Sequence, residues 1–128
     1  MTIHLDTSVL VDALTGSRRS LPALERAVAG GHVIGIAALV LYEWHRGPRT
    51  RVELSDQEAL LPASDARAFG FAEAARAAQV YRTAKRARGR DMDIAIAACA
   101  IEQRARLWTL NPEDFRDLPG LELYEPIK

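Results

Sequence analysis

Several acidic side chains stand where carboxylates can act together on a metal ion or a phosphate. Predicted strands end, or the helices after them begin, near Asp6, Glu43, Asp93 (or its neighbour Asp91) and Asp114. Four carboxylates that converge at the carboxyl edge of a sheet repel one another and need a cation. Oxygen ligands without clustered Cys or His favour Mg²⁺ or Mn²⁺ over Zn²⁺. The pattern therefore predicts metal-assisted phosphoryl-transfer or phosphodiester chemistry.

Each of these acids also has a structural explanation that stays open at this point. Asp6 can cap the helix that follows it, and one of the paired aspartates can cap the next apolar helix. Asp114 stands at the start of a predicted helix, where the helix dipole favours an acid. Glu43 lies in an apolar stretch, so its charge must reach the surface or meet a cation. Arg46 and Arg49 are near enough in sequence to be that cation.

The elements that must position these acids alternate between strands and helices. Strands are predicted over residues 2–5, 33–36, 107–110 and 121–124. Helices are predicted after the start signal Asp6–Ser8, over 21–29 and 38–46, after a capping box at Ser55–Glu58, over 71–88 and 91–103, and at Pro112. This alternation predicts an α/β fold whose central parallel sheet is covered by helices on both faces.

Bulk composition describes an ordinary globular chain. Its 128 residues, 48% hydrophobic and 27% charged, fit one domain over 1–128. Because 17 basic residues balance 17 acidic ones, a polyanionic partner must be held by a local patch. The single cysteine, Cys99, cannot form an internal disulfide, and no apolar stretch reaches the about 20 residues of a membrane span. Without a signal-peptide pattern, we expect a soluble cytoplasmic protein.

Segments in order along the chain resemble the motifs of PIN-domain nucleases. They are Ile3–Leu10, Ile36–Trp44, Asp93–Ala100, Leu107–Phe115 and the tail Leu118–Leu121. The third is similar to the D-x-x-I-A-A-x-A helix of that family, and the fourth to its T-x-N-x-x-D-F segment. The likeness is strongest to VapC-type toxins of toxin–antitoxin pairs. It implies a three-layer α/β/α PIN-like fold, a Mg²⁺- or Mn²⁺-dependent endoribonuclease, and a homodimer inhibited by a VapB antitoxin.

The resemblance also implies a set of site residues. The catalytic residues would be Asp6, Glu43, Asp93 and Asp114, with Asp6, Asp93 and Asp114 as metal ligands and Thr7, Ser8, Thr109 and Asn111 in support. Asp91 competes with Asp93, which is preferred because it keeps the family's three-residue step to Ile96. Some relatives carry the fourth acid at the position of Asn111, so that assignment stays open against Asp114.

A nuclease with no net charge needs a basic surface for its substrate, because phosphate contacts supply most non-specific affinity. Five basic residues lie close together just before the third motif, and they are Arg82, Lys85, Arg86, Arg88 and Arg90. We expect this run to line the path of the RNA. The alternative is a solvated helix face with no binding role.

Two other classes of function remain open. A Mg²⁺-dependent phosphatase or phospho-acceptor domain also places an aspartate at a strand end. The phosphatase pattern needs a second Asp where Ser8 stands, and a receiver domain needs a late lysine, whereas the only lysines are Lys85 and Lys128. A catalytically silent binding module would use the same acids as helix caps. Loss of RNA cleavage on chelation separates a nuclease from these alternatives.

Overall fold

The computed structural model describes residues 1–127. The strands are β1 (Thr2–Leu5), β2 (Val33–Gly35) and β3 (Arg106–Trp108). The helices are α1 (Thr7–Leu14), α2 (Leu21–Ala29), α3 (Ala38–Arg46), α4 (Arg51–Leu60), α5 (Phe71–Thr83) and α6 (Asp91–Glu102). Two short 3₁₀ turns lie at Ala63–Asp65 and Pro112–Asp114. The parallel sheet and its flanking helices form the three-layer α/β/α architecture that the sequence predicts.

The sheet has the order β2-β1-β3, with β1 in the centre and both neighbours parallel to it. His4 lies opposite Gly35 on one side and Leu107 on the other, and Leu5 lies opposite Trp108. Parallel strands end at the same edge, so the residues after β1 and β3 are neighbours in space. This edge is where Asp6 follows β1 and Thr109 follows β3.

The core is built around β1 and α6. Ile3 and Leu5 of the central strand are fully buried, as its position between two strands requires. Helix α6 packs against α5, α3 and β3. It is buried nearly all round, as its apolar sequence predicts, and its buried residues are Ile94, Ile96, Ala97, Ala98, Cys99 and Ala100. Among residues 1–127, no helix is long and apolar enough to cross a bilayer.

Helix α4 begins earlier than the sequence predicts. The capping box is formed by Thr50 and Glu53, not by Ser55–Glu58, which lies inside the helix. Both segments carry the same pattern, a hydroxyl residue followed three residues later by Glu. The earlier start presents Leu54 and the buried Gln57 on one face of the helix, and the buried Leu61 follows its last turn.

Helix α5 ends at Thr83, whereas an alanine-rich helix to about Arg88 was predicted. The hydroxyl of Thr83 donates to the carbonyl of Gln79 at 2.9 Å and competes with the helical pattern at that end. Turns follow until Gly89, whose φ of +80° an L side chain adopts only with strain. The prediction failed because Ala87, buried to 9% exposure, continues the apolar spacing although it lies in the turn.

Two further predictions are corrected. Residues 121–124 form no fourth strand: Leu123 makes a single parallel bridge to Leu107, closed by backbone hydrogen bonds on either side. Neither of the paired aspartates is the N-cap of α6, because Arg90 holds that position. The predicted strand 107–110 runs from Arg106 to Trp108, which brings Thr109 to the strand's end, and Pro112 begins a 3₁₀ turn as expected.

Candidate active site

Asp6 is held at the carboxyl edge of the sheet by two hydroxyl groups. Its backbone N–H donates to the carbonyl of Trp108 at 2.9 Å, and the residue is 6% exposed. It occupies the N-cap position of α1, but its side chain makes no capping bond. Instead, Oδ2 accepts from Ser8 Oγ at 2.9 Å and from Thr109 Oγ1 at 2.8 Å. The carboxylate is therefore oriented by neutral donors that leave its charge uncancelled.

The two hydroxyls are themselves fixed by the chain after β3. The N–H of Leu110 donates to Ser8 Oγ, and the N–H of Asn111 donates to Thr109 Oγ1, both at 3.0 Å. Each hydroxyl thus accepts from the backbone and donates to Asp6, which defines the direction of its proton. The exposed Asn111 contributes to this arrangement through its backbone.

Glu43 reaches the same edge from α3. Its Oε1 accepts from Thr7 Oγ1 at 2.5 Å, which links α3 to the first turn of α1. Its Oε2 lies 3.5 Å from Arg46 Nη2, so the ion pair considered from sequence is present. The Arg46 side chain is 57% exposed, and solvent screens such a pair strongly. Arg49 is engaged elsewhere, with its guanidinium 4.2 Å from the ring centroid of Trp44.

Asp93, rather than Asp91, is electrostatically coupled to the other acids. Burial, together with the charges of Asp6, Asp114 and Glu43, raises the pKa of the Asp93 carboxyl to about 6. Asp91 is exposed and lines a separate cavity between α5 and α6. The structure therefore brings Asp93 to the group of acids and leaves Asp91 outside it.

Asp114 completes the group from the 3₁₀ turn after β3. It is exposed, and its backbone carbonyl accepts from Arg90 Nη2 at 2.7 Å. Within residues 1–127, no ion pair involves Asp6, Asp93 or Asp114. Within the described residues, these three carboxylates therefore have no cationic side chain paired with them directly.

A cavity of about 540 Å³ lies beside Asp114. It is lined by Arg86, Arg88, Arg90, Glu113, Asp114, Arg116 and Asp117. Arg90 pairs with Asp117, and Arg116 pairs with Glu113. Of the predicted RNA-contacting residues, Arg82 lines the other cavity together with Asp91, and Lys85 is exposed in the turn after α5.

The oxygen atoms at this edge are of the chemical type that a hard divalent cation prefers. They are carboxylate and hydroxyl oxygens, and the mutual repulsion at Asp93 is what a bound cation would relieve. Among the residues that the structure describes, no three His, Cys, Asp or Glu side chains are close enough to form a ready-made metal site.

Sequence reasoning missed the pairing of Arg90 with Asp117. The two residues are 27 positions apart, and no periodicity or motif links them. It also missed the bond between Thr7 and Glu43, 36 positions apart, although the resemblance had singled out both residues. The signal available for Thr7 was its place beside Asp6 at a strand end.

Comparison with known proteins points to one family. The family model described as PIN domain matches residues 3–121. No curated protein matches the chain by sequence.

Solved structures share the fold over nearly the whole chain. VapBC2 from Rickettsia felis, bound to a DNA fragment from its promoter, has a TM-score of 0.77 at 22% identity and covers 97% of this chain and 98% of its own. DNA-bound VapBC from Salmonella typhimurium has a TM-score of 0.78 at 17% identity, with 97% of both chains covered. A toxin–antitoxin complex from Klebsiella pneumoniae has a TM-score of 0.70 at 24% identity and covers 98% of this chain and 99% of its own.

Proposed function

The chain belongs to the PIN domain family, and on that premise we propose that it is a metal-dependent endoribonuclease acting as the toxin of a type II toxin–antitoxin pair. PIN domains are generally nucleases, so membership indicates a hydrolase. The proposal adds RNA as the substrate and Mg²⁺ or Mn²⁺ as the cofactor.

One observation carries the proposal. Four acids from separate segments share the carboxyl edge of the sheet, and three of them, Asp6, Asp93 and Asp114, form no ion pair within residues 1–127. A fold that needed these acids only as helix caps would engage their side chains with backbone N–H groups. The side chain of Asp6 makes no such bond, and neither Asp93 nor Asp114 is an N-cap residue.

In the proposed mechanism, Asp6 and Asp93 would hold the metal ion and Asp114 would hold it less directly. The ion, when bound, would act as a Lewis acid that neutralises charge developing on the phosphate. Ser8 and Thr109 orient the Asp6 carboxylate by donating to one of its oxygens. These donors fix the direction of the carboxylate without neutralising it.

Glu43 is proposed to orient or deprotonate the attacking water. Thr7 Oγ1 donates a hydrogen bond to Glu43 Oε1. Because Thr7 directly follows Asp6 in the chain, this bond fixes the Glu43 carboxylate relative to Asp6. The water would then attack phosphorus in line with the departing 3′-oxygen. The products would carry 5′-phosphate and 3′-hydroxyl ends.

Arg86 and Arg88 are proposed to contact the RNA backbone. Both are exposed and line the cavity beside Asp114, where a substrate phosphate would meet them next to the acids. We expect their reversal to Glu to weaken RNA binding and to flatten its dependence on salt. Unchanged binding would contradict this role.

The proposed partners follow from the similar structures. Two of those reported above are VapBC complexes and one is a toxin–antitoxin complex. We propose that a VapB-type antitoxin binds this chain, that the chain forms a homodimer, and that it acts in the cytoplasm on RNA. Copurification with a coexpressed antitoxin and measurement of molar mass by light scattering test the first two points.

The test is cleavage of defined RNAs in Mg²⁺, Mn²⁺ or EDTA. We expect cleavage with either metal and none with EDTA. We expect Asp93→Asn to lose about a hundredfold or more in rate, and Asp91→Asn to stay within about threefold, since it lies outside the group of acids. Asp6→Asn purified in parallel controls for contaminating nucleases. No metal-dependent cleavage by the wild-type chain would favour the catalytically silent binding module instead.

A further inference from the structure

Arg90 differs from Arg86 and Arg88, which line the same cavity, because its guanidinium forms a two-point ion pair with a carboxylate. Nη1 and Nη2 donate to the two carboxylate oxygens of Asp117 at 2.9 and 2.7 Å. Nη1 also donates to the carbonyl of Arg86 at 2.9 Å, and Nη2 to the carbonyl of Asp114 at 2.7 Å. The side chain is 20% exposed. Such a two-point pair with a carboxylate is the strong, directional form of the contact.

These hydrogen bonds connect three segments of the chain through the guanidinium group of Arg90. Arg90 is the N-cap residue of α6, three positions before Asp93. Its contact with Arg86 holds the turn after α5, and its contacts with Asp114 and Asp117 hold the 3₁₀ turn and the residues after it. The hydrogen bonds of Arg90 therefore link the segment that carries Asp114 to the start of α6, which carries Asp93.

We propose that Arg90 is a positioning residue that holds the 112–117 segment against the start of α6, and so sets the place of Asp114 for metal binding. This deepens the proposed function and rests on it for the role of the metal. Arg90 was predicted from sequence to contact RNA, and this assignment replaces that role. Arg86 and Arg88 remain the residues proposed to meet the substrate.

Hydrogen exchange of the full chain without metal tests the contact itself. The N–H groups of Asp114 and Arg116 are bonded to carbonyls within the turn, and Arg116 N lies 2.8 Å from Pro112 O. We expect Arg90→Gln to raise amide exchange over 112–117 by about tenfold while Tm and exchange in β1 change little. Arg88→Gln, the matched control, leaves exchange there unchanged. Unchanged exchange in Arg90→Gln would overturn the proposal.

Metal binding tests the consequence. We expect Arg90→Gln to weaken Mn²⁺ binding, measured by calorimetry, by about tenfold. Losses of this size are usual when a residue that holds a metal ligand in place is removed. Arg90→Lys keeps the charge but not the two-point pair, so it should recover only part of the affinity. Asp117→Asn leaves Arg90 in place and should weaken Mn²⁺ binding in the same direction. Wild-type Mn²⁺ affinity in Arg90→Gln would contradict the role assigned to Arg90.

Steady-state kinetics separate positioning from substrate contact. Arg90→Gln should raise the Mn²⁺ concentration for half-maximal rate and leave KM for RNA unchanged at saturating metal. Arg86→Gln and Arg88→Gln should raise KM instead. A raised KM for RNA in Arg90→Gln, with normal Mn²⁺ binding, would return Arg90 to the substrate path. Failure of the wild-type chain to cleave RNA would contradict the proposed function, and the exchange result would still decide on Arg90.

Discussion

The two ends of the acidic edge are held in different ways. Asp6 is buried, and the hydroxyls of Ser8 and Thr109 fix its side chain directly. Asp114 is exposed, and Arg90 holds its backbone through the carbonyl while the carboxylate stays free. In both cases the carboxylate is located without being neutralised. Structural salt bridges would locate these groups equally well but would cancel the charge that a cation needs.

The first prediction compares the cleavage rate after loss of the Asp6 carboxylate with the rate after loss of the Asp114 carboxylate. Asp6→Asn should lower the cleavage rate by about a thousandfold, because a buried carboxylate proposed to bind the metal is lost and its two hydroxyl donors face an amide. Asp114→Asn should cost about ten- to thirtyfold, since its exposed carboxylate is proposed to bind the metal less directly. Single-turnover rates at saturating Mn²⁺ measure both. Equal losses would show that the two ends do not differ in function.

The second prediction concerns how the stability of the fold depends on pH through His4, a buried residue of β1. Burial, together with the charge of Arg67, lowers the pKa of His4 to about 4. Between pH 6.5 and about 4, the His4 side chain binds a proton in the unfolded chain but stays neutral in the folded chain. The contribution of His4 is thus fully present above pH 6.5 and is lost as pH falls toward 4, by about 3 kcal/mol in all.

Urea unfolding between pH 4 and 7 measures this loss, and His4→Phe should remove the corresponding part of the slope. His45→Gln, on the exposed face of α3, is the control and should keep the wild-type slope. A slope unchanged in His4→Phe would mean that other groups account for the acid sensitivity of the fold.

A smaller effect tests the hydroxyl contacts. Thr7→Val removes the donor to Glu43 Oε1, which should lower kcat by about tenfold with little change in KM for RNA. Thr7→Ser keeps the hydroxyl and should restore most of the rate. Full activity in Thr7→Val would contradict this role of the hydrogen bond, and a loss of activity in Thr7→Ser alone would assign the role to the methyl group instead.

The smallest effect concerns the exposed ion pair of Glu43. Arg46 is largely exposed at 3.5 Å from the carboxylate, so Arg46→Gln should change the free energy of unfolding by less than about 0.5 kcal/mol. The cleavage rate should stay within about twofold. Thermal unfolding and cleavage assays check both values, and a large loss of rate would show that Arg46 takes part in substrate binding.

The sequence was sufficient for the parallel sheet and the buried helix α6. Strand and helix periodicities are local, and strand ends in a parallel sheet meet at one edge. The end of α5 at Thr83 was not predictable, because the apolar spacing continues to Ala87 although the chain turns. The same holds for the choice between two capping patterns at α4, which packing against the core decides.

Within the candidate site, the sequence named the acids but not what holds them. The place of Asp6 at a strand end pointed to that residue. The resemblance favoured Asp93 over Asp91, because Asp93 keeps the family's three-residue step to Ile96. In the structure, Asp93 is coupled to the other acids and Asp91 lines a separate cavity. The contact of Arg90 with Asp117 depends on how the turn after β3 meets α6. Only the folded arrangement reveals that one arginine of a basic run is already bound.

A crystal structure grown with Mn²⁺, with the metal located by its anomalous scattering, would show where the cation binds. We expect one or more peaks between the carboxylates of Asp6 and Asp93, near Asp114, and no such peak in Asp93→Asn crystals under the same conditions. A peak only at other carboxylates, or the same peak in Asp93→Asn, would contradict this expectation.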